Sequence, residues 1–134
     1  MDAVDFWLLR YETLHGFLVD DLTDTLTEAQ LRGRPVPGVN PVAWLLWHAM
    51  RIEDVCVNRF LADRPQVLDD GWLDRLAVAR RDVGTGMTDS QVDDFSARID
   101  LDGLRGYCRG VTRATLDRVP MLRATDLETI VPAD

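Results

Sequence analysis

Apolar residues recur at spacings of three and four along three long stretches of the chain, a pattern typical of amphipathic helices. The first stretch runs from about Asp2 to Thr25, the second begins at Asn40-Pro41 and runs to about Leu61, and the third runs from about Leu101 to Val119. The predicted buried stripes are Val4, Trp7, Leu8, Tyr11, Leu14, Leu18 and Leu22 in the first helix; Val42, Leu45, Leu46, Ala49, Ile52, Cys56 and Phe60 in the second; and Leu101, Leu104, Cys108, Val111, Thr115 and Val119 in the third. Polar residues of the second helix, namely Arg51, Asp54 and Asn58, are expected on its opposite side.

Capping signals mark where several helices begin. Asn40 is a favoured N-cap, and Pro41 suits the first helical position because its missing N–H has no partner there anyway. Shorter helices are predicted after two capping boxes, Thr27 with Gln30 and Thr88 with Gln91. A weaker amphipathic segment covers roughly residues 71–80, and the stretch 33–39 is a loop because it holds two prolines and two glycines.

The fold class follows from these periodicities. No stretch sustains the period-2 alternation of a strand, so the chain is predicted to be all-α and to form a single domain over residues 1–134. Each long helix must cover its apolar stripe, and an antiparallel up-down bundle does so. A four-helix bundle needs one more long helix. We expect that helix to be missing, or its place to be taken by short helices or a partner.

Composition and charge exclude several functions. The chain has a formal net charge of -8 and no lysine, since all 15 basic residues are arginines. It therefore lacks both a Schiff-base lysine and a P-loop lysine. The acidic balance argues against nucleic-acid and acidic lipid partners, and no apolar run approaches the ~20 residues of a membrane helix. The N-terminal segment, MDAVDFWLLR, resembles neither a secretory signal nor a transit peptide, so a cytoplasmic location is expected.

The candidate chemistry rests on two histidines and one carboxylate. His15 is expected to face the bundle interior, either as a hydrogen-bonded core histidine or as a ligand or acid–base group. His48 lies at the edge of its helix's stripe, and no HxxxH or HxxxE pair accompanies it. Glu53 falls near the middle of that stripe, where an unpaired carboxylate is costly. It is predicted to form a buried pair with an arginine or to be a functional carboxylate.

The remaining candidates are weaker. Cys56 and Cys108 both fall on predicted apolar faces, and neither has an adjacent histidine or CxxC motif that would activate a thiol. Trp47 falls toward the polar side of the second helix, so it marks a contact surface or is simply a half-exposed aromatic residue.

The stretch from Arg34 to Asp54, RPVPGVNPVAWLLWHAMRIED, resembles the DinB/YfiT-like superfamily. This group includes the mycothiol-dependent maleylpyruvate isomerases and related thiol transferases of actinobacteria. The most specific element is the RPxPGxN loop followed by a W-x-x-x-H-x-x-x-x-E-D helix. The resemblance extends to Gly71-Trp72 and to the entry into the third helix, and the Arg, Asp and Ala richness is typical of a high-GC bacterial genome.

The resemblance implies a four-helix bundle, often dimeric, that holds zinc or nickel between its helices on three histidines. His48 matches the ligand from the second helix. The other two ligands come from an HxxxH pair on the last long helix, and this sequence has no such pair. In metal-bearing relatives the metal activates a thiol cofactor, such as mycothiol, or a water by lowering its pKa.

Three functional hypotheses follow. The first is a metal-dependent thiol transferase or isomerase acting on a small-molecule substrate. Its ligands beyond His48 would come from outside this sequence or from a rearranged set such as His48 with His15 and Glu53. The second is a non-catalytic DinB-like bundle that acts as a homodimerisation or partner-binding module. The third is a small-molecule binding module with its pocket in the bundle interior.

Overall fold

The computed structural model describes residues 1–128, and all regular secondary structure in this part of the chain is helical. The predicted all-α class is therefore confirmed. The α-helices are α1 (Ala3–His15), α2 (Leu22–Thr25), α3 (Glu28–Arg32), α4 (Val42–Glu53), α5 (Trp72–Leu76), α6 (Asp89–Arg98) and α7 (Leu101–Arg118). π-Helical segments follow α1 (Gly16–Asp21) and α4 (Asp54–Leu61), and 3-10 turns cover Val67–Asp69, Val119–Met121 and Ala124–Glu128.

The long predicted helices are present with small shifts at their ends. The first is continuous from Ala3 to Thr25 through its π segment, and a capping box between Asp2 and Asp5 begins it. The second begins at Val42, one residue later than expected, and Pro41 occupies the N-cap position. Asn40 does not cap this helix, because its side-chain oxygen instead accepts a hydrogen bond from Arg34 at 3.2 Å.

Both predicted capping boxes form. Thr27 with Gln30 begins α3, and Thr88 with Gln91 begins α6. The two short helices are fastened together by Arg32, whose Nη1 donates to three carbonyl groups at the end of α6, those of Ser96, Ala97 and Ile99. This contact satisfies carbonyl groups that the end of a helix leaves without partners.

The long helices pack around α7, which contacts both α4 and α1. α1 runs antiparallel to α7, whereas α4 and α7 run in the same direction. This departs from simple up-and-down order, because the long connection that carries α5 and α6 returns the chain to the end at which α4 began. The pairs that establish these directions are Thr23 with Arg105 and His15 with Thr112 for α1 and α7, and Arg51 with Tyr107 and Asn58 with Arg118 for α4 and α7.

The buried face of α4 differs from the predicted one. Leu45, Ile52 and Phe60 are 43%, 40% and 41% exposed, and Cys56 is exposed as well. The side expected to face solvent is buried instead, and its members are Arg51, Asp54 and Asn58. The prediction was wrong because Arg51 and Asp54 bind backbone groups of the long connection to α7, and Asn58 packs inward with them by donating to Asp54.

Two further predictions about the core are corrected. Trp47, expected near the polar side of its helix, is fully buried against Phe95, with ring centroids 4.4 Å apart. On α1 only Tyr11 and His15 are buried, whereas the predicted core residues Val4, Trp7 and Leu14 are exposed. The α7 stripe is confirmed, since Leu104, Cys108, Val111 and Thr115 are all buried. None of the helices in residues 1–128 has both the length and the hydropathy that a membrane-spanning segment needs.

Candidate functional site

A fully buried ion pair lies between α4, α7 and the connecting loop. Arg51 and Asp54 are 1% and 0% exposed, and Arg51 Nη1 lies 3.3 Å from Asp54 Oδ2. A buried carboxylate is tolerated only when its oxygens are well supplied with donors. The other donors to the Asp54 carboxylate are Asn58 Nδ2 at 2.8 Å, the backbone N–H groups of Val67 and Leu68 at 2.8 and 3.0 Å, and the Tyr107 hydroxyl at 2.7 Å.

The same pair holds the loop between α5 and α6. Arg51 donates to the backbone carbonyls of Arg81 at 2.6 Å and Asp82 at 3.3 Å, and to Gln66 Oε1 at 2.9 Å. Burial, followed by the nearby Asp54 charge, raises the pKa of Tyr107 and keeps its hydroxyl a donor. Since these groups satisfy one another, the cluster is structural: it provides partners for backbone groups that would otherwise be buried without any.

A second polar cluster joins α1, α4 and α7 around Glu53. Glu53 Oε2 lies 3.2 Å from His15 Nε2, and its Oε1 accepts hydrogen bonds from Thr115 Oγ1 at 2.6 Å and from the Tyr11 hydroxyl. The partner of Glu53 is therefore a histidine on α1 and not the predicted arginine. His15 faces the interior as predicted and is 6% exposed.

Both ring nitrogens of His15 have partners. Nδ1 lies 2.8 Å from Thr112 Oγ1, and the Thr112 hydroxyl donates to the Cys108 carbonyl at 2.9 Å. While the Thr112 hydroxyl donates its proton to the Cys108 carbonyl, His15 Nδ1 must donate to Thr112 Oγ1. A hydrogen bond from Nε2 to Glu53 then requires a second proton on the His15 ring. In this first arrangement of protons the contact joins an imidazolium to a carboxylate. If the Thr112 hydroxyl turns to donate to Nδ1, a neutral ring with its proton on Nε2 fits equally well.

The surroundings of Glu53 favour its charged form. Burial alone raises the pKa of Glu53, but the hydrogen bonds from His15, Thr115 and Tyr11 together lower it below its ordinary value. The pKa of Tyr11 is raised, first by burial and then by its hydrogen bond to Glu53, so the phenol remains a donor. The cluster is thus a carboxylate held by three donors at the junction of three helices.

π-Helical segments begin directly after each member of this pair. His15 is the last residue of α1 and Glu53 the last residue of α4, and each is followed by a π segment. Such segments are rare and concentrate at functional sites, since a wider turn re-aims the side chains beside it. Because one such segment follows each partner of this buried histidine–carboxylate contact, His15 and Glu53 form a candidate site.

A cleft of about 390 Å³ opens beside His15, between the π segment of α1 and α7. Its lining includes His15, Thr112 and two arginines. Arg109 Nη2 lies 2.6 Å from Asp20 Oδ1, whereas Arg113 has no hydrogen-bond or ion-pair partner in the described part of the chain. The cleft therefore combines a polar inner wall, the carboxylates of Glu12 and Asp20, and the Arg113 guanidinium, which has no partner among residues 1–128.

His48 lines a different cavity, of about 310 Å³, beside the loop that precedes α6. Its ring stacks on Trp44 with centroids 4.5 Å apart, and Nδ1 donates to the Val83 carbonyl. A neutral ring with its proton on Nδ1 carries its lone pair on Nε2, which has no partner among residues 1–128. A carbonyl that fixes one ring nitrogen is also the usual arrangement around a metal-binding histidine.

The residues that the structure describes do not complete a metal site. They contain no group of three or more His, Cys, Asp or Glu side chains placed to hold an ion. The predicted rearranged set is not assembled, because His15 and Glu53 contact each other while His48 contacts the Val83 carbonyl. His48 fits a single ligand position, and its role as a metal ligand stays a prediction.

The two cysteines differ in environment. Cys108 is buried, and burial together with the nearby Glu53 charge raises its pKa to about 12, so its thiol is protonated near neutral pH. Cys56, predicted on a buried face, is exposed on the α4 stripe. The environment of Cys108 is therefore not that of an activated nucleophile, which needs a lowered thiol pKa or an adjacent base.

These features define an all-helical bundle with two buried polar clusters and a histidine-lined cavity on its second long helix. The chain belongs to the DinB superfamily, whose family model matches residues 18–134. The match includes the RPxPGxN loop and His48, the features that carry the resemblance described in the sequence analysis. A search of curated proteins finds no relative that matches this chain.

Proposed function

We propose that this protein is a partner-binding module that forms a homodimer through exposed apolar faces of α1 and α4. The observation that carries the proposal is where its exposed apolar side chains lie. Of the fourteen large hydrophobic side chains exposed in the described residues, ten lie on these helices and their π segments. They are Val4, Phe6, Trp7, Leu9, Leu14 and Phe17 on the first, and Leu45, Ile52, Phe60 and Leu61 on the second.

The apolar area on these helices supports an interface. Each of the ten side chains is 38–54% exposed. Given side-chain areas of about 150–250 Å², the set presents roughly 600–1,200 Å² of apolar surface. A typical monomer has a largest apolar patch of about 300–600 Å², and a stable complex buries about 800 Å² per partner. The summed exposed apolar area of the ten side chains is therefore comparable to the area that one partner buries in a stable complex.

The two helices touch each other, so the exposed side chains nearest to their junction are close together. Tyr11 and His15 of α1 both contact Glu53 of α4, and Trp7 stacks on Tyr11 with ring centroids 4.8 Å apart. The exposed residues Leu45, Ile52 and Phe60 are uncharged, so two copies can meet on them without burying the charges that give each chain its net -8. A two-fold symmetric contact of this kind is the commonest form of homo-oligomer.

Sedimentation equilibrium tests the proposed dimer directly. We expect the wild type to be dimeric at about 10–100 μM, and Ile52→Asp to weaken association by about 100-fold or more, because it places a charge in the apolar contact. Val36→Asp is the matched control, since Val36 is 55% exposed but lies on the loop before α4. A monomeric wild type, or Ile52→Asp that associates as strongly as Val36→Asp, would refute the proposal. Added salt should strengthen a true dimer by screening repulsion between two acidic chains.

A second candidate, favoured by the position of His48, is the metal-dependent thiol transferase or isomerase that the resemblance implies. His48 lies three residues after Leu45 and four before Ile52 on α4, so a partner docked on the stripe reaches the edge of the His48 cavity. Further ligands for zinc or nickel would then come from that partner, and a thiol such as mycothiol would bind the loaded metal.

Elemental analysis separates the two candidates. Protein purified without a histidine tag would hold stoichiometric zinc or nickel if the site is real, and His48→Ala would lose it. Loss of the metal in Ile52→Asp as well would support ligands supplied across the interface. If the dimeric wild type holds no metal, even after incubation with either ion, the metal-dependent candidate is excluded and only the partner-binding function remains.

A further inference from the structure

We propose that the cleft beside His15 is a binding site for a small organic carboxylate, recognised by Arg113 and by the hydroxyl of Thr112. The lining of this cleft includes none of the ten exposed apolar side chains and shares no residue with the His48 cavity. On α1 its wall is formed near Glu12 and Gly16, about 140–180° around the helix from the exposed side chains of Trp7 and Leu14. The proposal does not depend on the proposed function.

The Arg113 guanidinium, which lines this cleft, is not used to bind another group of the described chain. Arg113 has no hydrogen bond or ion pair among residues 1–128, although aspartates and glutamates outnumber arginines in this chain. Neighbouring Arg109 is already bound to Asp20. A guanidinium presents a planar fork of donors that matches the two oxygens of a carboxylate, so Arg113 is suited to take one from solution.

The inner wall supplies a prepared hydrogen-bond donor. When His15 Nδ1 donates to Thr112 Oγ1, the hydroxyl proton of Thr112 is free to turn from the Cys108 carbonyl to a ligand oxygen. Glu53 holds the second nitrogen of His15 and fixes the ring in this orientation. His15 and Glu53 therefore position the Thr112 hydroxyl. This role explains why a costly buried contact is present although only its histidine lines the cleft.

The shape and lining of the cleft indicate the rest of the ligand. Val19 and Leu116 line it together with the polar groups, and a volume of about 390 Å³ lies within the range of small-molecule sites. A ligand with an apolar body and one carboxylate would cover the side chains and pair with Arg113. Inorganic phosphate would leave the apolar wall in contact with water.

Titration with sodium benzoate, followed by ¹H–¹⁵N correlation spectra of the full chain, tests this site. We expect saturable shifts at the Gly16 amide, with an affinity in the range of about 1 mM. Arg113→Ala and Thr112→Val should each weaken binding by about tenfold, because each removes a charged or hydrogen-bonding contact. Arg98→Ala is the matched control, since Arg98 is an exposed arginine on α6 paired with Asp94. Both arginine variants alter exposed positions, so their spectra should otherwise overlay that of the wild type.

Several results would overturn the proposal. The first is an absence of saturable shifts at Gly16 up to about 20 mM benzoate, well above the expected millimolar range. The second is equal weakening in Arg113→Ala and Arg98→Ala. Neutral benzamide binding as tightly as benzoate would exclude recognition of the carboxylate. Phosphate competing as well as benzoate would exclude an organic ligand.

Discussion

Replacement of the buried carboxylate of Asp54 by an amide is the sharpest test of the fold. Asp54 Oδ1 accepts from Asn58 Nδ2 and the Val67 N–H, and Oδ2 accepts from Arg51 Nη1, the Tyr107 hydroxyl and the Leu68 N–H. In Asp54→Asn one oxygen becomes an NH₂ group, which cannot accept. Whichever oxygen is replaced, at least two buried donors then face another donor.

The expected loss is large because two costs combine. Arg51 keeps its charge at 1% exposure but loses its carboxylate partner, and breaking a buried pair in this way costs about 3–5 kcal/mol. Each unsatisfied donor carries a further penalty, part of which the rotated amide recovers through its remaining oxygen. We therefore expect Asp54→Asn to lower the free energy of unfolding by about 4 kcal/mol and the Tm by roughly 12–20 °C.

Urea denaturation followed by circular dichroism measures this change, with Asp94→Asn as the control. Asp94 pairs with Arg98 at the surface, where its side chain is 72% exposed, so its replacement should change the free energy of unfolding by less than about 0.5 kcal/mol. The slope of unfolding against urea should be the same for both variants. If Asp54→Asn falls within about 1 kcal/mol of Asp94→Asn, the buried cluster does not hold the loop as inferred.

Three other predictions rest on single contacts. Gly84→Ala should destabilise the fold by about 2 kcal/mol more than Gly86→Ala, measured by urea denaturation. Both glycines have φ near +80°, but only a Cβ at Gly84 would lie 2.5 Å from the Trp47 ring, so equal losses would contradict this packing. Iodoacetamide at about pH 8 should label Cys56 in the native protein and Cys108 only after unfolding. The reason is that a pKa of about 12 keeps the buried Cys108 thiol protonated. Labelling of native Cys56→Ser would refute this prediction. Since the pKa of Glu53 is lowered on folding from 4.5, its charge stabilises the protein above that pH, and this stability is lost as pH falls through the folded value. The difference in unfolding free energy between wild type and Glu53→Gln should therefore narrow as the pH falls below 4.5, and a constant difference would argue against the charged form.

Local signals in the sequence predict much of the helical framework. The two Thr–Gln capping boxes form at the expected residues, and the α7 stripe is buried, because capping and 3.6-residue periodicity act over only a few residues. The π segments carry no such signal, since one wider turn leaves the apolar spacing almost unchanged. They became visible only through the hydrogen bonds of the folded backbone.

Partners distant in sequence limited the prediction of the site. Glu53 is identified as unusual from the sequence, because a carboxylate in an apolar stripe needs a partner, but the choice of His15 depends on how α1 packs. Arg51 and Asp54 look like solvent-facing residues in a count of apolar positions. Their inward orientation is set by the loop backbone at Val67 and Arg81, 13 and 30 residues away along the chain.

The wrongly predicted stripe on α4 is also the best guide to function. Leu45, Ile52 and Phe60 do form an apolar face, but the described part of the chain covers the opposite side, where Trp44 and Trp47 are buried. A helix that is apolar on both sides needs cover on both sides, and residues 1–128 cover only one side of α4. A partner seated on the uncovered side would also close in on the cavity of His48. Docking and any chemistry at His48 should therefore change together, and Ile52→Asp, which contacts no ligand, should alter both.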